Sequence, residues 1–296
     1  MLESMNEKIC EYIKNIPSLP VSSGKVMEIC NKVNINPSDL NYVISLDPVL
    51  VGRILHLLNS AYYGLGHHVT SLVRAIIMLG INTVKNLTLS AAILETLPKN
   101  RDIKGLNMNG FWLHSLCVGV TAKQLAKKQG VDSTMIEEYF TSGLLHDIGK
   151  IPINAVLSAD YLLTVSAADR GQKSLFAEED SSLGINHCIA GSMIAKAWNI
   201  DGPIANVIAN HHNLAGYSGS DKNILYNVAI ANYFASIHET GFSGDRFPEK
   251  PDAKIWKESG INENTFEELK ETILDEIEKA KIFLNICEDF PQKTSL

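Results

Sequence analysis

No stretch of this 296-residue sequence approaches the roughly 18 consecutive apolar residues that a membrane-crossing helix requires. The opening "MLESMNEKICEYIKNIPSLP" carries acids and has no continuous apolar core, so no signal peptide and no membrane partner are expected. Paired cysteines are lacking too. The five (Cys10, Cys30, Cys117, Cys188, Cys287) lie far apart, are odd in number and form no CxxC. This argues against a disulfide scaffold and for reduced thiols in a cytoplasmic protein. Positive charge is short: 26 Lys and Arg stand against 33 Asp and Glu, a net charge of −7. A nucleic-acid partner, which needs a basic surface, is therefore not expected. Strand signals are scarce, with no alternating β-branched run between hairpin turns.

What is present is core-forming and helical. Hydrophobic residues make up 45% and charged residues 20%. That suffices for one large domain or two smaller ones and is not the composition of a disordered chain. "VSSGKVMEICNKV" places Val26, Ile29, Cys30 and Val33 at i, i+3, i+4 and i+7, one apolar helical face. "NPSDLNYVISL" opens on a Pro-Ser-Asp start signal, and Asp47 with Pro48 reads as an N-cap and first-position pair. Gly80 closes "SLVRAIIMLG", and Asn82 is expected to cap the apolar helix after it. "PKNRDIKGLNMNG", residues 98–110, is the best boundary by its Pro, Gly, Asn and charge content.

Beyond it, "FWLHSLCVGVTAKQLAKKQG" reads as a long helix. "STMIEEYFTSGLLHDIGK" reads as another, with Ser133 as its cap and Glu137 and Glu138 near its positive end. "SADYLLTVSAADRGQKSLFAEED" is amphipathic and then polar. Three more helices, a polar segment over 239–252 and a helical tail rich in Glu, Lys and Leu complete the chain. The expected fold is all-α, with a helical N-terminal lobe over 1–100. A second helical lobe over 101–296 holds most of the histidines and the tail.

The chemistry centres on "GLLHDIGK", residues 143–150. With nine His and fourteen Asp in the chain, about 0.4 His-Asp pairs arise by chance, so the pair alone is weak. Its strength is its company: His114, His187, His211 and His212 lie where helices can bring them to His146 and Asp147. Neutral imidazole and carboxylate ligate Zn, Fe and Mn. Adjacent helical residues point about 100° apart. His146 and Asp147 therefore share an ion most easily near a helix end, which Gly149 and Pro152 supply. Asp147 can also bridge two ions, one on His114 and His146, the other on His187, His211 and His212. Two ions about 3.5–4 Å apart suit phosphoester hydrolysis. Taken singly, each residue has a plainer reading. A lone His114 on an apolar helix is more often a packed core residue, and His211–His212 at a helix end can simply answer the dipole. His56, His67, His68 and His238 read as surface or packing residues.

The second lobe resembles the HD superfamily of metal-dependent phosphohydrolases, whose signature is a His, the HD pair and a distant Asp. "WLHS" supplies His114 and "LLHDIGK" supplies His146 and Asp147, but "VAIANYFAS" places Asn232 where the last Asp belongs. The lobe also resembles the HD-GYP subgroup, which cleaves cyclic di-GMP. His187 in "NHCIAGSMIAKAW" and His211–His212 in "ANHHNLAGYS" match its additional histidines. Gly216 and Tyr217 are followed by Ser218, which breaks the GYP tripeptide, and Gly110 stands where some members carry an outer acid. Residues 46–89 are similar to the HDOD domain in Asp47–Pro48, Asn59–Ser60–Ala61, and Ala75, Ile76, Leu79 and Gly80. Leu19–Pro20 matches its opening, and the resemblance covers about residues 15–240.

The resemblance implies an HD-type helical bundle in a bacterial protein of signalling or regulation. It implies one or two divalent ions, Fe or Mn before Zn, held by His114, His146, Asp147, His187, His211, His212 and Asn232. Asn232 offers only a neutral oxygen, which weakens the first site. Asp147 and Lys150 are the catalytic candidates, Lys150 as a phosphate contact or, more plainly, as a cation at a helix end. Asn59 reads chiefly as a turn cap. Two functions follow: a regulatory metal-binding protein with little or no turnover, or an active phosphodiesterase. A nucleotide or phosphoester ligand and a signalling protein partner go with either.

Overall fold

The structure is a computed structural model that describes residues 2–30, 35–97 and 106–285, and those residues form helices and no strand. Val33 and most of the 98–110 boundary therefore lie outside the described residues, as does the tail beyond residue 285.

In the first lobe, α2 (Val21–Cys30), α3 (Pro37–Ser45), α4 (Pro48–Leu58), α5 (Leu72–Leu79) and α6 (Ile81–Thr96) pack on one another. Both helices start where expected. In α3 the cap is Asn36, just before the Pro-Ser-Asp signal, with its side chain accepting from Ser38 N; in α4 it is Asp47 as read, Oδ1 accepting from Val49 N and Leu50 N. Ser22 Oγ donates to the other Asp47 oxygen at 2.7 Å, so one carboxylate caps α4 and ties it to α2. Asn59 holds the following loop: its amide donates to the Leu55 and Val69 carbonyls, and Val69 N donates back to it at 2.7 Å. Gly80 ends α5 but also stands at the start of α6, with φ 85°, so Asn82 lies inside the helix rather than capping it.

The second lobe is built on α7 (Met108–Lys128), α8 (Ile136–Leu145) and α14 (Lys222–Ile237). Around them lie α9 (Lys150–Val156), α10 (Ser158–Gly171), α11 (Leu175–Leu183), α12 (His187–Ala197) and α13 (Gly202–Asn210). Ser133 does not cap α8. Asp132 makes the turn instead, accepting from Thr134 N at 2.8 Å, and the helix begins three residues after Ser133. The segment over 158–180, read as amphipathic and then polar, is two helices, broken where Gln172 adopts φ 50°. α1 (Leu2–Lys14) packs across α9, α11 and α12, and Trp198 Nε1 donates to the Pro17 carbonyl.

The two lobes meet through α6 on α8 and through the tyrosines after Asn59. The Lys123 ammonium lies 4.3 Å from the Tyr62 ring centre and pairs with buried Glu137, which also accepts from Tyr63 at 3.1 Å. The tail adds α15 (Ala253–Ser259), α16 (Glu263–Ala280) and α17 (Ile282–Asn285). An Asn262–Thr265 capping box starts α16, and Phe266, Ile273, Ile277 and Ala280 form its buried face. Phe283 of α17 then sits between Tyr62 and Phe140, with ring centres at 5.4 and 4.9 Å.

One contact positions the site. α7 and α8 cross with Gly119 against Gly143, so closely that a Cβ on Gly143 would lie 2.7 Å from the Gly119 Cα. This crossing brings His114 and His146 to facing positions. Gly143→Ala is expected to cost about 1–3 kcal/mol by overpacking, read as a lowered denaturation midpoint in chemical unfolding.

Candidate metal centre

Three helix ends and one helix face converge on a small polar core. His114 projects from the middle of α7. α8 stops at Leu145, so His146 is its C-cap and Asp147 lies in the turn before α9. That end comes earlier than the Gly149 and Pro152 expected from sequence. Gly149 serves packing instead. A Cβ there would collide with the His187 carbonyl oxygen, so only glycine lets this turn sit against α12. His187 opens α12, whose cap Asn186 accepts from Ile189 N, and His211 closes α13. All of these site residues but His212 are buried, and His146 and Asp147 have no exposed surface.

The ring orientations are set by hydrogen bonds that face away from the centre. Nδ1–H of His146 donates to the Gly143 carbonyl at 2.7 Å, and that of His211 to the Val207 carbonyl at 3.0 Å. Nδ1–H of His187 donates to Glu179 Oε2 at 2.6 Å. Because these partners accept, each ring presents Nε2 inward. His146 Nε2 lies 3.3 Å from Asp147 Oδ2, and His187 and His211 Nε2 lie 3.3 and 3.5 Å from Oδ1. His146 Nε2 and Asp147 Oδ1 are buried without a hydrogen-bond partner, as electron-pair donors to a cation would be. Ligand atoms gather in two groups within 4.8 Å: Asp147 with His187, His211 and His212, and Asp147 with His114 and His146. The donor set of imidazoles and a shared carboxylate fits one or two divalent ions.

Asn232 and Lys150 modify this picture. Asn232 Oδ1 lies 2.9 Å from His114 Nε2, so a neutral amide completes the first group. Lys150 Nζ donates to Asp147 Oδ2 at 2.6 Å and to Ser243 Oγ at 3.3 Å, fully buried. Ser243 belongs to the segment over 239–252, which roofs the site. Its Phe242 N donates to the Gly110 carbonyl, and a Cβ on Gly110 would lie 3.3 Å from the Phe242 backbone, so no side chain fits there without displacing the roof. A cavity of about 220 Å³ runs from His211, His212 and Asn232 out to Pro248, Asp252 and Ile255.

Burial alone would push the Asp147 carboxyl up, but His146, Lys150 and His187 outweigh it and hold it well below the carboxylate range. Burial, helped by His146, pulls His114 down to about 3. Burial would lower His187 as well, but Glu179 outweighs it and lifts it to about 10. His211 rises to about 9 because Cys188 and Asp147 outweigh its burial.

A family model described as the HDOD domain matches residues 16–214. The chain belongs to the HDOD family. A relative from Treponema pallidum (strain Nichols), an uncharacterised protein, is 28% identical over 225 residues. The match takes in 76% of this chain, which spans only 43% of that relative's length. An HDOD domain protein of unknown function from Geobacter sulfurreducens superposes with a TM-score of 0.73 at 23% identity, over 96% of this chain and 99% of its own. A candidate metal-dependent phosphohydrolase from Shewanella amazonensis SB2B gives a TM-score of 0.63 at 19% identity, over 96% and 97%. At such identities these neighbours speak for the fold. Among the described residues, no single helix is long and apolar enough to cross a membrane.

In this HDOD protein six of the seven residues read as metal-site residues from sequence, His114, His146, Asp147, His187, His211 and His212, come together around one carboxylate, and the seventh, Asn232, lies beside His114. His56, His67, His68 and His238 are exposed, as expected of surface residues. Several contributors carried no readable signal. Glu179 sits in an acidic run that looks solvent-facing, Tyr161 in an amphipathic stretch, and Ser243 and Asp245 in the polar 239–252 segment. Asp245 is buried, and burial raises its carboxyl to about 6 despite the pull of Lys150.

The paired Nε2 atoms of His187 and His211 lie 3.2 Å apart, so one proton held between them satisfies both in the absence of a cation. Against burial, Glu179 raises His187 and Cys188 raises His211, so the pair keeps that proton at neutral pH. A cation must therefore displace at least one proton near pH 7, and affinity should rise with pH and fall on acidification. Calorimetric titration of Mn²⁺ in buffers of different ionisation enthalpy should show that proton release, together with weaker binding at pH 6 than at pH 8.

Proposed function

We propose that this HDOD protein is a regulatory signalling module. Its His/Asp centre binds a divalent ion and a phosphoester or nucleotide ligand, with little or no turnover. The observation that carries the reading is Asn232, whose amide oxygen meets His114 at 2.9 Å where the HD signature has an acid. That half of the centre holds two imidazoles, a shared carboxylate and a neutral oxygen. It is one negative charge short of the resembled pattern, so it binds a cation more weakly. The roof over 239–252 and the capture of Lys150 by Asp147 point the same way, because the lysine is spent inside the cluster and does not line the cavity. A fold shared with hydrolases does not bring their activity with it.

The ion would rest on Asp147, His187, His211 and His212, with His114, His146 and Asn232 offering a second, weaker place. Fe or Mn suits this mixed imidazole and carboxylate set best, and Zn also fits it. When bound, the metal would polarise a phosphoryl oxygen and acidify a bound water. The protein's own part is to fix the imidazoles through outward hydrogen bonds, to exclude water beneath the roof, and to bring a ligand in along the cavity beside His212 and Asn232. In this reading residues 1–100 are the N-terminal lobe of the HDOD module and residues 101–296 carry the metal centre. Cys10, Cys30, Cys117 and Cys188 are free thiols, which suits a cytoplasmic home in a bacterial cell.

The second reading, an active phosphodiesterase, draws on the complete four-ligand group and on the unpartnered His146 Nε2 and Asp147 Oδ1. Elemental analysis of protein made without chelators, joined to a phosphodiesterase assay with Fe or Mn, separates the two. About one ion per chain is expected, lost in Asp147→Ala, with turnover at background. Metal-dependent turnover that Asp147→Ala abolishes would overturn the regulatory reading, and protein without stoichiometric metal would remove both. Asn232→Asp restores the missing charge, and occupancy is expected to climb from about one ion toward two in the same elemental analysis.

A further inference from the structure

Helix α11 supplies no ligand, yet it touches two of the imidazoles in the four-ligand group. Phe176 and Glu179 stand one turn apart on it, on the same face. Glu179 is fully buried, and both of its oxygens are engaged. Oε2 accepts from the His187 backbone N–H at 2.9 Å and from its Nδ1–H at 2.6 Å, and Oε1 accepts from the Tyr161 hydroxyl at 2.7 Å. Phe176 stacks on His212 with ring centres 4.7 Å apart and planes within 16°, and meets the edge of His187 at 5.8 Å. The helix is itself anchored. Ser174 caps it and donates to Glu249, and Asn186, the cap of α12, donates to Asp180 at 2.8 Å.

His146 and His211 donate through Nδ1 to neutral carbonyls, whereas His187 donates to a carboxylate. A charged acceptor makes the stronger hydrogen bond and raises the basicity of the opposite nitrogen. It also fixes ring and tautomer, because a buried carboxylate that takes three donors has no freedom to turn.

We propose that α11 is the positioning element of the metal centre: Glu179, held by Tyr161, and Phe176 make the Asp147, His187, His211 and His212 group the tight site. The inference rests on the metal-binding reading above and deepens it, since it names the residues that decide which half of the centre fills first. Negative charge is missing from the first half at Asn232 and is supplied to the second half from behind its histidine.

The test uses the full chain stripped of metal and titrated calorimetrically with Mn²⁺, comparing wild type with Glu179→Gln, Tyr161→Phe and Phe176→Leu. Glu179→Gln keeps the size and an acceptor oxygen but removes the charge, and should weaken the first ion about 10–100-fold. Tyr161→Phe deletes one hydroxyl, keeps the ring packing and guards against a Glu179 variant that fails to fold. It should shift the affinity in the same direction by less, and Phe176→Leu likewise. Thermal unfolding of the metal-free proteins is read alongside. A purely structural role would lower the unfolding temperature and leave the affinity of the folded fraction unchanged, which would overturn the proposal. So would Glu179→Gln and Tyr161→Phe proteins that bind Mn²⁺ as tightly as wild type. A wild type that takes up no ion would instead bring down the metal reading itself.

Discussion

Asp147 is a carboxylate with no exposed surface, and a buried anion has to be matched. Its two oxygens are matched differently. Oδ2 takes the Lys150 ammonium at 2.6 Å, while Oδ1 faces the Nε2 atoms of His187 and His211. With the Nδ1 protons of His146, His187 and His211 committed outward, their Nε2 atoms bring lone pairs to a site that already holds a negative oxygen. Such an arrangement is unfavourable unless a proton or a cation lies among them. The rest of the fold holds it there. The glycine crossing of α7 on α8 sets His114 against His146, and Gly149 lets the Asp147 turn press onto α12. The tail reaches back to wedge Phe283 between the lobes. The two glycine contacts bear directly on the elements that carry His114, His146 and Asp147.

Much of this is legible in the amino-acid sequence. Helix starts at Asn36 and Asp47 are readable because a capping side chain and a following proline act within one turn. The clustered histidines are readable because metal chemistry restricts which residue types could serve as ligands. Other features are not, and for physical reasons. Ser133 and Asp132 are both good capping residues, and only the path of the chain decides between them. The helix end at Leu145 has no local marker, since Gly149 is required by what lies against it rather than by a positive φ. Glu179 is a residue type that usually faces water, and its burial depends on Tyr161 and His187 arriving from other helices. The roof over 239–252 reads as a polar linker because the partners of its side chains, Lys150 for Ser243 and Ser174 for Glu249, arrive from helices distant in sequence.

The two halves of the centre are thus unequal in charge although they share a carboxylate. In the first, Asp147 offers the oxygen that Lys150 already neutralises, and Asn232 adds a neutral amide. In the second, Asp147 offers its unpartnered oxygen, and Glu179 stands behind His187. A cation entering the first half competes with a lysine. One entering the second replaces a proton that two imidazoles share. The latter exchange is the easier at neutral pH. A shared proton can leave to water, whereas the buried Lys150 ammonium has, among the described residues, only Asp147 as an anion at hydrogen-bonding distance. A ligand with phosphate oxygens would change this balance. Arriving along the cavity beside His212 and Asn232, it would bring negative charge to the half that lacks it and could draw Lys150 away from Asp147. Ligand binding and filling of the second ion place are then linked, each strengthening the other. Under the regulatory reading proposed above, such coupling would let a centre with one ion at rest report the presence of a phosphoester without hydrolysing it.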